Sequence, residues 1–358
     1  TTVRGKTYIA SFMGIAPGKQ HSDIHNKVWM HTVGEFNWQS LPAVPSTQKV
    51  NGRIAASAVA LNSNFFIFGG FSVNADGSEQ TAVDSYRIDP ITKRYTKLNN
   101  IPVPVDDAVA LTYQNRYIYL VSGWSDHGNV NLVQVFDNFT QRWSQATPFP
   151  GKPVFGLAGA MADNQMLLCD GVALEYYRDK KREYKAEPAC YLGTVGSNAN
   201  QIDWRIVPHP TGQARYRMAG INTEVAGKPV LAFIGGSTTA YNYNGIGYDG
   251  SAAAPDSKVW LYSLAEQRWL NAADTTAVMD LRGLIKVDGD IYTVGGMQSS
   301  NENMTPIRWF DQSIQSRIGL SFISHFLQIP IVPVLCYRRG LLQNTLYFGD
   351  ALQPQMQA

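Results

Sequence analysis

The chain has 358 residues, and its 30 Lys and Arg against 28 Asp and Glu give a formal net charge of +2. That balance excludes a strong field drawing it to nucleic acid or to an anionic membrane. Charged residues are only 16% of the chain while Gly (31), Pro (18), Tyr (18) and Trp (8) are abundant, which suits many short strands joined by turns.

An apolar strand ends six times in a small-residue pair, at Met13-Gly14, Gly69-Gly70, Ser122-Gly123, Asp170-Gly171, Gly235-Gly236 and Gly295-Gly296. Successive second residues lie 56, 53, 48, 65 and 60 positions apart, and self-similarity at such a period predicts a propeller of four-stranded blades.

In the first repeat only Thr1 to Lys6 precedes the second strand, so most of an inner strand is missing; His31 and Trp38 then mark its outer half. The second repeat is the clearest. Ile54 to Leu61 predicts an inner strand of small residues, Phe65 to Phe68 a second strand, Val83 to Ile88 a third, and Arg94 to Leu98 the outer one. Asp89-Pro90-Ile91-Thr92 is a turn with Pro at its second position and a side-chain acceptor at its first.

The third repeat copies this with Ala108 to Tyr113, Tyr117 to Val121 and Phe136 to Trp143; the fifth does so with Val230 to Ile234 and Tyr262 to Trp269. The fourth departs most. It carries an insert, Tyr176 to Glu187, with seven charged residues in the eight positions after Tyr177, which reads as a solvated loop or short helix. After Pro306 to Phe310 the last repeat shows no outer-strand Trp. Ile314 to Ala358 follows, with the Pro-interrupted apolar run Ile318 to Tyr337. That run nears the length of a spanning helix, but His325, Gln328 and two prolines favour a closing element or a terminus foreign to the repeat.

Hydrophobic strand, glycine pair, then aromatic-Asp/Ser-x5-Trp is similar to the kelch repeat over about residues 5–310. The resemblance implies an all-β fold: a six-bladed kelch-type propeller over 1–312, with blades near 1–48, 49–104, 105–152, 153–213, 214–278 and 279–312, the first and last incomplete. Residues 313–358 form an atypical tail. The glycines are expected where close packing or φ > 0 excludes a side chain, and Trp and Tyr in the wedges between blades.

In kelch-type propellers the loops entering the inner strands share one face with the loops after the glycine pairs. Aligning the repeats places Arg53, Asp107 with Asp106, Phe155, Arg217 and Arg282 at the pore mouth. The adjacent loops add Trp124, Asp126, His127, Asn129 and Asn131, and the stretch Tyr241 to Asp249 with Tyr243 and Asn244. Three arginines with an aromatic suit an anion, because guanidinium offers a planar fork; rings and amides beside them suit a sugar or peptide. The expected ligand is an anionic sugar or an acidic peptide or protein.

Each residue also has a structural reading: arginines as bridges between blades, His127 as a loop cap, Asp106-Asp107 as counter-charge. Resemblance to the bacterial kelch mutarotases of sialic acid implies an alternative. Arg217 or Arg282 would then hold the carboxylate while His127 or Asp107 moves the proton. A third reading is a scaffold that docks a partner through a blade edge or the insert.

Cys169, Cys190 and Cys336 show no CxxC or Cys/His spacing, so neither a zinc site nor a disulfide framework is expected, and Cys169 reads as a buried thiol. Copper oxidases of the same fold need a Cys–Tyr crosslink that neither Cys169 nor Cys190 matches. His21-x-Asp23-x-His25 is a weak metal pattern. No phosphate loop, GxSxG elbow or HExxH motif occurs. The expectation is no cofactor, no metal, no nucleic acid and no membrane, with a periplasmic or extracellular location, otherwise a cytoplasmic one.

Overall fold

The computed structural model describes residues 1–126, 128–178 and 182–298 and the strand Ile307–Phe310. The expectations for the tail beyond residue 312 and for His127 fall outside the described residues. Among the described residues, five four-stranded antiparallel sheets follow one another along the chain as the blades of an all-β propeller, and a three-stranded sheet comes after them. Among the described residues no helix is long and apolar enough to cross a membrane.

The second blade pairs Ser57–Leu61, Asn64–Phe68, Ser85–Ile88 and Tyr95–Lys97 in that spatial order. The third, fourth and fifth repeat the pattern from Val109–Tyr113, Ala158–Ala162 and Ala219–Val225 as inner strands. The first blade is more complete than its sequence suggests. Thr2–Val3 pairs with Lys6–Ile15 through a tight turn in which Arg4 and Gly5 take φ of 50° and 77°. Its Met13-Gly14 landmark is a bulge within that second strand and does not end it.

The other glycine pairs end their strands as expected, and the reason is contact with the next blade. Gly69 has φ +60° and lies against the Val105 carbonyl, and Gly235, at φ +73°, lies against the Val278 carbonyl. Where the first residue of the pair is not glycine it keeps φ > 0 and makes a compensating bond. Ser122 Oγ donates to Val154 O at 2.7 Å, and Asp170 Oδ2 accepts from Arg215 N at 2.7 Å.

The outer-strand aromatics lock successive blades together. Tyr95 Oη donates to Pro42 O at 2.9 Å, Trp143 Nε1 to Asn99 O at 3.0 Å, and Trp269 Nε1 to Pro208 O at 2.7 Å. Each bond reaches the backbone just beyond the preceding blade's outer strand. The Trp143 ring sits 5.1 Å from Phe136 of its own blade and 5.6 Å from Phe68 of the previous one, filling the wedge as expected.

Two expectations are corrected. Cys169 is buried, but it is no free thiol: it faces Cys190 across adjacent strands and the two form a disulfide. The spacing rules missed it because a cross-strand pair leaves no local motif. The charged insert was expected as a loop or short helix, but its Glu183–Ala186 is a strand paired with Val172–Glu175 in a β-ribbon, and residues 179–181 lie outside the described residues. Replacing both Cys169 and Cys190 by alanine, which opens a crosslink spanning 21 positions, is expected to cost about 3 kcal/mol in urea unfolding. An unchanged unfolding midpoint would show that the bond constrains nothing.

Candidate functional site

Ahead of five of the inner strands one residue holds a left-handed backbone: Ala55 (φ 56°), Asp107 (48°), Gly156 (63°), Arg217 (53°) and Asp280 (59°). Around them runs a belt of blade-to-blade hydrogen bonds. Asp107 N donates to Ala55 O, Gly156 N to Asp107 O, and Arg217 N to Gly156 O, each at 2.9 Å; Leu281 N donates to Arg217 O at 3.0 Å. The belt borders one mouth of a central channel of about 910 Å³ lined by the inner strands.

This belt corrects the alignment made from sequence. Arg53 sits two residues before the belt, is fully buried, and donates to Gly69 O at 3.4 Å and Pro45 O at 3.1 Å. Arg215 occupies the equivalent place in the fifth blade, donating to Gly235 O at 2.9 Å and Lys258 O at 2.6 Å and lying 3.8 Å over Trp260. Both arginines brace their blades, and Arg53 leaves the ligand site. Phe155 also stands one residue before its belt position, buried as the hub of an aromatic cluster.

Asp107, Arg217 and Arg282 do come together, and Asp280 joins them. Arg217 Nη2 lies 2.6 Å from Asp107 Oδ2 and its Nη1 3.3 Å from Asp280 Oδ1; Arg282 lies 3.1 Å from a carboxylate oxygen of each. Tyr216 Oη adds a bond to Asp107 Oδ2 at 3.4 Å. The Arg217 side chain is 4% exposed and that of Arg282 29%, so Arg282 is the cation of this lattice open to solvent. Two carboxylates facing two guanidiniums make the floor nearly neutral, not the cationic funnel expected from the arginines alone.

Burial alone would raise the Asp107 carboxyl, but Arg217 and Arg282 outweigh it and hold it below the ordinary carboxylate range. Its neighbour Asp106, buried and accepting from Thr81 Oγ1 at 3.4 Å, goes the other way. Burial first, then the charges of Asp107 and Glu79, push its carboxyl well up. Two adjacent carboxyls thus favour opposite protonation states. Burial also raises the phenols of Tyr216 and Tyr241, which line the same floor.

Above the floor rises an aromatic wall. Tyr184 of the ribbon stacks on Tyr248 with centroids 3.9 Å apart, and Phe155 meets Trp124, Tyr184, Tyr216 and Tyr248 edge-on at 5.5 to 6.5 Å. Arg182 lies 5.9 Å over Trp124 and 5.8 Å over Tyr184, a second cation at the rim. Asn129 is a brace: its Nδ2 donates to Pro153 O at 2.9 Å and Val172 O at 2.8 Å. Tyr243 packs towards Ile15, Ile54 and Phe71, and Asn244 spends its Oδ1 on Ile246 N at 3.0 Å within its own turn. Neither reaches the floor lattice.

Asp280, Tyr216, Tyr184 and Arg182 were missed, whereas Tyr241 and Tyr248 lie in the stretch Tyr241 to Asp249 that the sequence offered. Aligning on backbone conformation, with Asp107 and Arg217 as the fixed points, would have found Asp280 in place of Arg282 as the belt residue. The ribbon residues carry no comparable signal, because their charge run masks the strand.

Among the described residues one set of metal-type donors converges: Asp170, Cys190 and His209, within 4.8 Å of one another. All are used. Cys190 is in the disulfide, and His209 Nδ1 accepts from Gly212 N at 2.7 Å, which leaves the proton on Nε2 for Asp170 Oδ1 at 2.7 Å. His21, Asp23 and His25 form no such cluster, and Asp23 caps Gln20 N at 2.9 Å.

No family model and no curated protein matches the chain. Among solved structures, that of YjhT superposes over 79% of this chain and 91% of its own, with a TM-score of 0.61 at 16% identity. At that identity the likeness shows the propeller fold.

A carboxyl whose folded pKa exceeds its unfolded value holds its proton more tightly in the folded chain. It favours folding at low pH, and that contribution is lost as pH rises from the unfolded value of 3.8 through the folded one. Asp106→Asn is therefore expected to unfold at higher urea than the parent protein near pH 8 and at similar urea near pH 3. Equal midpoints at both pH values would show that Asp106 ionises normally.

Proposed function

We propose that the protein is a six-bladed kelch-type propeller that binds a small carboxylated sugar, of the sialic acid class, in the cup over the channel mouth. The observation that carries this reading is the convergence of Arg217, Arg282, Asp107 and Asp280 from three successive or facing sheets beneath the Trp124–Tyr184–Tyr248 wall. Arg282, held in orientation by Asp107 and Asp280, presents its exposed edge to the ligand carboxylate. The rings take the apolar face of the sugar, and Arg182 reinforces the anion preference at the rim. An acidic peptide has the same anchoring chemistry and is the competing ligand.

Anomer interconversion is the second reading, favoured by the Asp106–Asp107 pair. A carboxyl that burial pushes up, beside one that Arg217 and Arg282 hold down, would supply the proton donor and acceptor that opening a cyclic hemiacetal requires. The Cys169–Cys190 disulfide supports a periplasmic or extracellular location, since such bonds persist in oxidising compartments.

Titration calorimetry with N-acetylneuraminate tests the binding. Arg282→Ala is expected to weaken it at least about tenfold, near 1.4 kcal/mol, and N-acetylmannosamine, which lacks the carboxylate, to bind poorly. An affinity that ignores both changes rejects the proposal. NMR of freshly dissolved sialic acid decides the second reading: anomers that equilibrate no faster with the protein than without it leave binding alone.

A further inference from the structure

The channel has a second mouth. From Asp107 at the cup, the inner strand Val109–Tyr113 runs the length of the channel, and six residues at the strand rise put Tyr113 roughly 20 Å away. Gln114 and Asn115, at φ 52° and 51°, make the tight turn into Tyr117–Val121. That register sets Tyr113 directly opposite Tyr117, with centroids 6.4 Å apart and planes at 26°.

Beside this pair lies a groove of about 510 Å³, closed on the other side by Asn164, Thr194 and Ser197 of the next blade. Tyr113, Gln114 and Asn164 line both the groove and the channel, so the two are neighbours at this end of the propeller.

The tyrosines are held in place before any ligand arrives. Arg116 lies 4.8 Å over the Tyr117 ring and is itself fixed by two bonds to Asp137, at 3.0 and 2.6 Å. Tyr113 Oη accepts from Gln114 Nε2 at 3.0 Å, and Asn164 Nδ2 donates to Val195 O at 2.9 Å, leaving the Asn164 carbonyl oxygen for other partners. Not one of the nine lining residues is charged. Fixed rings, amides and hydroxyls without formal charge match a ligand that is polyhydroxylated, neutral and flat-faced, whereas an ionic group would find no counter-charge there.

We propose that this groove binds a neutral saccharide, at a site separate from the cup and independent of the reading given to it. Gly196 offers a clean test because a Cβ there meets nothing nearer than Gln201 O at 3.6 Å. Gly196→Phe therefore fills the groove without disturbing the backbone. The probes are maltohexaose, cellohexaose and chitohexaose, followed by saturation-transfer NMR on the whole protein.

At least one is expected to bind. Tyr117→Ala should weaken it about tenfold, Gly196→Phe should abolish it, and Arg282→Ala should leave it unchanged. Should no oligosaccharide bind, or should binding survive both Gly196→Phe and Tyr117→Ala, the site does not exist. Loss of binding in Arg282→Ala alone would place the saccharide in the cup and equally overturn the proposal.

Discussion

The structure depends on one constraint: each inner strand must start from a residue whose backbone turns left-handed so that its amide reaches the preceding blade. Asp107, Gly156 and Arg217 meet it, and in the last blade the Leu281 amide, beside left-handed Asp280, makes the bond instead. For the non-glycine members this conformation costs on the order of 1 kcal/mol apiece, offset by the hydrogen bonds that join neighbouring blades. These bonds join neighbouring inner strands at the channel mouth, so three charged side chains from distant stretches of sequence meet there on left-handed backbone.

Once gathered, those charges decide what the floor can do. Arg217 and Arg282 share Asp107 and Asp280, so desolvation of the guanidiniums is met by partners within the protein. A fully buried arginine so paired has little left to offer an anion. Arg282, with part of its surface open, keeps an edge for one. The lattice also sets the protonation of its surroundings: with Asp107 ionised, a second carboxylate at Asp106 would be buried beside it with no cation of its own, and it is driven towards the neutral form. Selectivity at such a floor comes from orientation more than from net charge.

The blades were legible in the sequence because their signals are local. Alternating apolar strands, glycine pairs and the spaced Tyr or Phe with Trp each report a contact that recurs in every repeat, and Trp143 and Trp269 sit in their wedges as the spacing implied. The floor was legible only in part. Asp107, Arg217 and Arg282 were found because they flank inner strands, but Arg53 was drawn in by its residue type. Its position two residues before the belt gives it the bracing role of Arg215. Residue identity misleads there, since the same guanidinium serves a carbonyl cage in one register and an ion lattice in the next. The disulfide was invisible for a related reason: Cys169 and Cys190 meet by strand register, which no short spacing encodes.

The insert shows the same limit from the other side. A run of charges ordinarily marks a solvated segment, yet here it builds a wall of the cup. The register sets Glu175 opposite Glu183, a like-charge pair that would split the ribbon. Lys185 lies 2.7 Å from Glu175 and 3.9 Å from Glu183, while Lys152 from the preceding loop reaches Glu175 at 3.6 Å and Glu187 at 2.9 Å. Exposed pairs of this kind contribute little one at a time, but as a network they turn repulsion into a zipper. Alternation along the strand then gives Tyr184 the opposite face from Lys185 and sets its ring against Tyr248 and Phe155. The charges on the outer face thus hold the aromatic platform on the inner one. The feature that made the segment read as a solvated loop or short helix is what holds its Tyr184 ring against Tyr248 and Phe155.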